Sequence, residues 1–334
     1  MSEFLRLKGP LKRGALIVAA NWPVVVVQFV AEATFKLLLG VPLVGGAVLV
    51  TLVVGRDLGD LLRGDARTAL AEIGAALIGQ PVAFGGFVAA LAVMVLGGST
   101  ITFLVKGGTV TVLADGEARA GAIERPPLRL AAVQHASTFS IDTFVGGCRR
   151  LFRRYMRLGL MLFLVYGLSA AAYLAAILAW LQVADRSGFL LGWTVVVGFG
   201  SSALVVWITL VNLVYLLLQM VMAIEDCGVR EAVARVAAFL SGALRDVALV
   251  FLVVLTLVVL ATAASMLATA GLGLISFVPL IGLAAFPLQA AAWLVRGLVF
   301  QYLGLAALGA YIALYRQWRA ARAPQASTNL RTAP

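Results

Sequence analysis

Six stretches of this chain stay apolar for longer than the roughly 18–20 residues a helix needs to cross about 30 Å of hydrocarbon. They are 15–55, 81–103, 158–183, 189–224, 247–270 and 288–315. Barrel strands of an outer membrane would alternate over about 10 residues instead. A water-soluble globule of 334 residues needs more polar surface than 12% charged residues supply, and 62% hydrophobic composition with a mean hydropathy of +1.03 leaves the bilayer as the solvent. The pattern predicts an all-α, multi-pass transmembrane helical bundle: one domain over 1–319 and a disordered tail at 320–334.

Charge sets the number of crossings. Lys and Arg accumulate on the cytoplasmic side of a membrane protein. Six crossings with an inner N-terminus put 20 of the 26 basic residues inside and 4 outside, whereas seven crossings give at best 16 against 8. The net charge of +11 then reflects loops that meet anionic headgroups rather than nucleic acid, and both termini are expected in the cytoplasm of a bacterium, at its inner membrane. The basic N-terminus leads into an apolar run longer than a signal-peptide core and without a small-residue cleavage site, so it reads as retained.

The first run is ambiguous. Pro23, Gly40, Pro42 and the Gly45-Gly46 pair allow either one tilted, kinked span or a hairpin of two short ones. Asn21-Trp22-Pro23 reads as a helix start, with Asn21 as the cap. Between Gly107 and Ser137 the chain looks water-exposed, and alternation over Thr109–Leu113 before Asp115-Gly116 suggests a short β-hairpin.

Two segments carry amphipathic patterns. Over 140–157, Ile141, Phe144, Val145, Cys148, Leu151, Phe152 and Tyr155 recur at helical spacing, opposite Arg149, Arg150, Arg153, Arg154 and Arg157. This predicts an interfacial helix whose arginines hold lipid headgroups, each contributing on the order of 1 kcal/mol at an anionic leaflet. A second such helix is expected over 229–246, where Val229, Val233, Val236, Leu240 and Ala243 oppose Arg230, Glu231, Arg235 and Arg245, with Asp226 as its cap.

Polar residues inside spans are costly and therefore functional suspects. Gln28, Glu32 and Lys36 lie at i, i+4, i+8. Asn212 and Gln219 share a face of the fourth run, and Gln289 and Arg296 a face of the last. Glu32, Lys36, Asn212, Gln219 and Arg296 are the intramembrane candidates, either as interhelical hydrogen-bonding groups or as the lining of a polar pathway.

For catalysis the inventory is thin. His135 is the single histidine and has no spaced set of metal ligands or triad partners. Cys148 and Cys227 fall near the cytoplasmic face, where a disulfide is not expected. No phosphate-binding Gly-x-x-x-x-Gly-Lys-Ser/Thr loop occurs, so no cofactor and no enzyme activity are predicted.

The order of Glu225-Asp226-Cys227-Gly228-Val229, then Arg230-Glu231-Ala232 to Arg235, then a span, resembles bacterial membrane domains found alone or fused to glycerophosphodiester phosphodiesterases. Lys106-Gly107-Gly108 and Phe139 to Phe144 are similar to the first half of that family. The likeness covers about residues 80–250, with Val236 where the family often has serine. It implies six-helix membrane architecture and no chemistry. Together these features lead to the expectation of a non-catalytic assembly, scaffold or lipid-organising component whose partners are membrane lipids, a membrane protein or a second copy of the chain. The competing expectation is a permease-like carrier of a small solute or lipid.

Overall fold

The computed structural model describes residues 2–54, 79–125, 130–187, 190–276 and 279–329. Among these, eight helices occur in order: α1 (Ser2–Ala20), α2 (Trp22–Val54), α3 (Pro81–Arg119), α4 (Leu130–Ala136), α5 (Ile141–Ser187), α6 (Leu190–Glu225), α7 (Val229–Ser276) and α8 (Pro279–Asn329). Six of them are long and apolar enough to cross a membrane.

Several expectations change. The first run holds one span rather than a hairpin, and that span starts after a break at Asn21 rather than at residue 15: α1 ends at Ala20, Asn21 forms a turn, and α2 continues through Gly40, Pro42 and Gly46 to Val54. A proline inside a helix removes one N–H, and one such loss does not stop 33 residues of apolar sequence from remaining helical. The expected β-hairpin at Thr109–Leu113 is the end of α3. Val110, Val112 and Leu113 are all buried, so an alternation that read as a strand belongs to a helix that is apolar all round.

Neither amphipathic segment is a separate interfacial helix. The first opens the 47-residue α5, with no breaker between Arg157 and the span that follows. Its start is capped by Ser140, whose hydroxyl accepts from the Thr143 N–H at 3.1 Å. The second opens α7 and joins its span through a kink at Ala243 (φ −138°, ψ 26°). Helix α8 runs to Asn329, past the point where the tail was expected to begin.

Where the sequence suggested one domain over 1–319, the chain divides into two compact units, Met1–Val26 with Lys106–Pro334, and Val27–Val105. In the smaller unit α2 and α3 pack antiparallel. A Cβ on Gly98 would meet the ring of Phe35, and one on Gly46 would meet the ring of Phe87 at 2.6 Å, so each glycine makes room for the opposite aromatic.

In the larger unit burial is concentrated at the basic end of the helices. Core residues come from α1 (Ile17, Val18), the last turns of α3 (Val112, Leu113), the first turns of α5 (Leu151, Tyr155), the end of α6 (Leu217–Met222), the start of α7 (Ala232, Phe239) and the end of α8 (Ala310–Ala313). The remaining length of the same helices exposes apolar side chains such as Leu164, Leu168, Val205, Leu252, Val259 and Leu267. Such a surface requires hydrocarbon around it. The spans measure 25 to 43 residues, against the roughly 20 that a bilayer needs. The surplus length forms the packed end.

Candidate functional site

Close backbone approach builds the packed end. At Gly14 of α1, an added Cβ would lie 2.6 Å from the Ala306 carbonyl oxygen and 2.9 Å from the Ala310 Cα. Only glycine lets α1 lie against α8 there. Helices α3 and α5 cross in the same way, since a Cβ on Gly147 would meet the Thr111 side chain at 2.5 Å and the Gly107 carbonyl at 3.1 Å.

Onto this frame three buried polar hubs are set. Asn21, fully buried, was expected to cap α2. Instead its amide nitrogen donates to the Ile17 and Ala136 carbonyls at 3.0 and 2.8 Å, and its oxygen accepts from the N–H groups of Thr138 and Phe139 at 2.8 and 3.0 Å. One side chain thereby ties the α1–α2 turn to the α4–α5 connection.

Glu117, near the end of α3, pairs with Arg13 at 3.1 Å and with Arg316 at 2.7 Å, joining α1, α3 and α8. Arg13 also reaches Glu124 at 2.8 Å and donates to the Gly121 carbonyl. Burial would raise the Glu124 pKa, but a backbone N–H and the Arg13 guanidinium outweigh it and hold the carboxyl below its ordinary value.

The third hub is Glu225, at the end of α6. Its carboxylate takes Tyr315 at 3.0 Å, Arg319 at 2.8 Å and Arg235 at 2.9 Å. Three donors take three of its roughly four acceptor sites, and the two guanidinium groups neutralise its charge, which makes it a structural junction between α6, α7 and α8. Beside it Phe239, Tyr315 and Trp318 pack edge-on and stacked at 5.3 to 5.7 Å, with Arg322 over Trp318 at 4.4 Å. These rings fasten α7 to α8. Cys227, in the turn after Glu225, has its thiol pKa raised by burial, which disfavours the reactive thiolate.

The five arginines predicted to hold headgroups separate into two kinds. Arg154 pairs with Asp226 at 2.6 Å. Asp226, expected to cap α7, stands at φ +50° in the turn and so presents its carboxylate to α5. Arg149, Arg150, Arg153 and Arg157 are exposed and form no ion pair among the described residues. At i, i+4, i+8 the first, third and fourth of these make one stripe along α5. It ends three residues before Leu160, where the dense run of exposed apolar side chains Leu160, Met161, Phe163 and Leu164 begins.

The buried faces also differ from the expected ones. On α5, Ile141 is 74% exposed, while Cys148, Leu151, Tyr155 and Leu158 are buried. The Tyr155 hydroxyl donates to the Gln219 carbonyl at 2.7 Å. On α7 the buried stripe is Ala232, Val236, Phe239, Ala243 and Val247, with Val233 half-exposed. Both stripes meet protein rather than lipid.

Of the five intramembrane candidates, Glu32 and Lys36 lie in the smaller unit, and Asn212, Gln219 and Arg296 lie in the larger one with separate neighbours. In the smaller unit Glu32 pairs with Lys36 at 3.7 Å and accepts from Gln28 at 3.5 Å along one helix face. In the larger unit Asn212 accepts from the Tyr166 hydroxyl at 2.5 Å, bracing α5 against α6. Gln219 is buried in the packed end, where its amide nitrogen finds no acceptor among the described residues. Arg296 lies over the Phe300 ring at 5.8 Å and lines a groove between α7 and α8.

Among the described residues no three His, Cys, Asp or Glu side chains gather into a metal-binding group. The structure therefore defines a helical membrane protein with six span-length helices and a charge-latched, buried end. No family model, curated protein or solved structure matches the chain.

Proposed function

We propose that this chain is an integral protein of the bacterial cytoplasmic membrane, with both termini in the cytoplasm, that organises lipid or scaffolds an assembly and performs no covalent chemistry. One observation carries the reading. Arg149, Arg150, Arg153 and Arg157 stay exposed and have no carboxylate partner among the described residues, while Arg13, Arg154, Arg235, Arg316 and Arg319 are spent on internal pairs. A stripe of such cations ending where the dense exposed apolar run of α5 begins suits acidic headgroups and supports the lipid-organising reading. The resemblance to the phosphodiesterase-associated membrane domains supports the same architecture and adds no chemistry.

The carrier reading would need a shared polar path. Within the larger unit, Asn212, Gln219 and Arg296 have separate neighbours, which favours the lipid-organising reading. Purification from the native membrane in mild detergent, followed by mass spectrometry of proteins and lipids together, tests it. The variant Arg149→Gln/Arg150→Gln/Arg153→Gln/Arg157→Gln should retain at least about tenfold less acidic lipid than the parent and unfold at the same temperature. Unchanged lipid and protein partners would refute the proposal.

A further inference from the structure

Helices α7 and α8 part beyond the packed end around a groove of about 810 Å³. Ala261, Ala264 and Ala268 on α7 leave it open, because small side chains at i, i+3, i+7 make a trough along that helix. Across from them, α8 supplies Val299, Phe300 and Arg296. The volume lies within the range of small-ligand sites, and apart from a few hydroxyl and amide groups the lining is apolar.

Arg296 distinguishes this groove from an ordinary gap between helices. Its guanidinium sits over Phe300, and no carboxylate is within ion-pair reach among the described residues. A cation in apolar surroundings is costly unless an anion meets it. Its planar fork of donors suits a phosphate, which it can bind through two parallel hydrogen bonds.

Arg296 stands 20 residues before Arg316 on one helix, or about 30 Å at 1.5 Å per residue. A headgroup layer is only about 5–8 Å deep, so Arg296 belongs to a different level from the basic end. The neighbouring Leu294 and Val295 are 45% and 59% exposed and apolar, which leaves the bilayer as the route of entry.

We infer that this groove is a binding site for one acidic phospholipid, its phosphate on Arg296 and an acyl chain along Ala261, Ala264 and Ala268. It is separate from the α5 arginine stripe and does not depend on it. A lipid held here lies between two helices rather than in the annulus around them.

The test uses the full chain in mild detergent and compares thermal stabilisation by dioleoyl-phosphatidylglycerol and dioleoyl-phosphatidylcholine. The background is the fourfold α5 variant, so that the stripe cannot contribute. Phosphatidylglycerol should act at about tenfold lower concentration than phosphatidylcholine, as expected for one charge-assisted contact. Adding Arg296→Gln should abolish that preference, and Arg296→Lys should restore part of it. Ala264→Leu, which fills the trough and leaves the charge, should weaken the response to both lipids.

An equal response to both lipids in the fourfold background, or a preference that survives Arg296→Gln, overturns the site while leaving the α5 reading untouched. Stabilisation by inorganic phosphate alone at comparable concentration also overturns it, by showing an anion site that needs no acyl chain. Should Arg296→Gln fail to fold, the Ala264→Leu response decides, and a response equal to that of the background refutes the site.

Discussion

Helix α5 has two halves that obey different rules. From Ile141 to Leu158 its inner stripe is buried by neighbouring helices, glycine brings α3 into backbone contact, and Arg154 and Tyr155 both have partners. From Leu160 onward the same helix exposes leucine after leucine, and its bonds to α6 are single and local: Tyr166 to Asn212, Ser169 to Trp207, Tyr173 to Ser201. Helices α6, α7 and α8 show the same division. In hydrocarbon, apolar side chains gain little by associating, because lipid tails are as apolar as leucine. Specific cohesion must then come from shape and from polar groups, and this protein concentrates both at one end.

That contrast can be broken most directly at Gly14. Gly14→Ala drives a Cβ into the α8 backbone, which cannot rotate aside, and should cost about 3 kcal/mol, read as a lower unfolding temperature in detergent. Gly9→Ala, with nothing within 4 Å of the added Cβ, is the matched control and should be close to neutral. An equal effect at the two positions would remove the argument for close α1–α8 packing.

A smaller loss is expected from Glu225→Ala. Removing a carboxylate that neutralises Arg235 and Arg319 should cost about 2 kcal/mol, a figure set below that of a fully enclosed pair because both guanidinium groups are partly exposed. Double variants with Arg235→Ala should be less than additive, which a thermodynamic cycle measures. Full additivity would mean that the pair contributes nothing.

The smallest effect belongs to the apolar half. Tyr166→Phe deletes one interhelical hydrogen bond and should cost only about 0.6 kcal/mol. If it destabilised as much as Glu225→Ala, the two halves would not differ in the way described.

Much of this architecture was legible in the sequence and some of it was not. Helical class followed from run length, because hydrocarbon imposes a minimum length and a closed backbone on any segment that crosses it, and the choice of six spans followed from where Lys and Arg accumulate. The role of Asn21 did not follow. Its neighbours Trp22 and Pro23 signal a helix start, whereas its actual partners, Ala136, Thr138 and Phe139, lie more than 110 residues away. Local pattern also misassigned Thr109–Leu113, since β-branched alternation looks the same in a strand and in a helix buried on every side.

The arginines of α5 were found by spacing, yet spacing could not separate Arg154 from the other four. That distinction depends on Asp226 turning back at positive φ. Glu117 drew no attention because it sits in a segment that looked solvent-exposed.

Helix α1 lies against α8, and Tyr302 donates to the Ala15 carbonyl across 287 residues of chain. During synthesis the first helix is made long before the partner it needs. At about 5–20 residues per second the interval is roughly 15–60 s, in which Gly14 and Ala15 wait without the α8 residues that cover them. Helix α1, made well before α8, is therefore seated late. Synthesis must pass α8 before Arg13, Glu117 and Arg316 can meet, so a nascent chain interrupted ahead of α8 carries an unprotected α1 face that quality-control proteases can recognise.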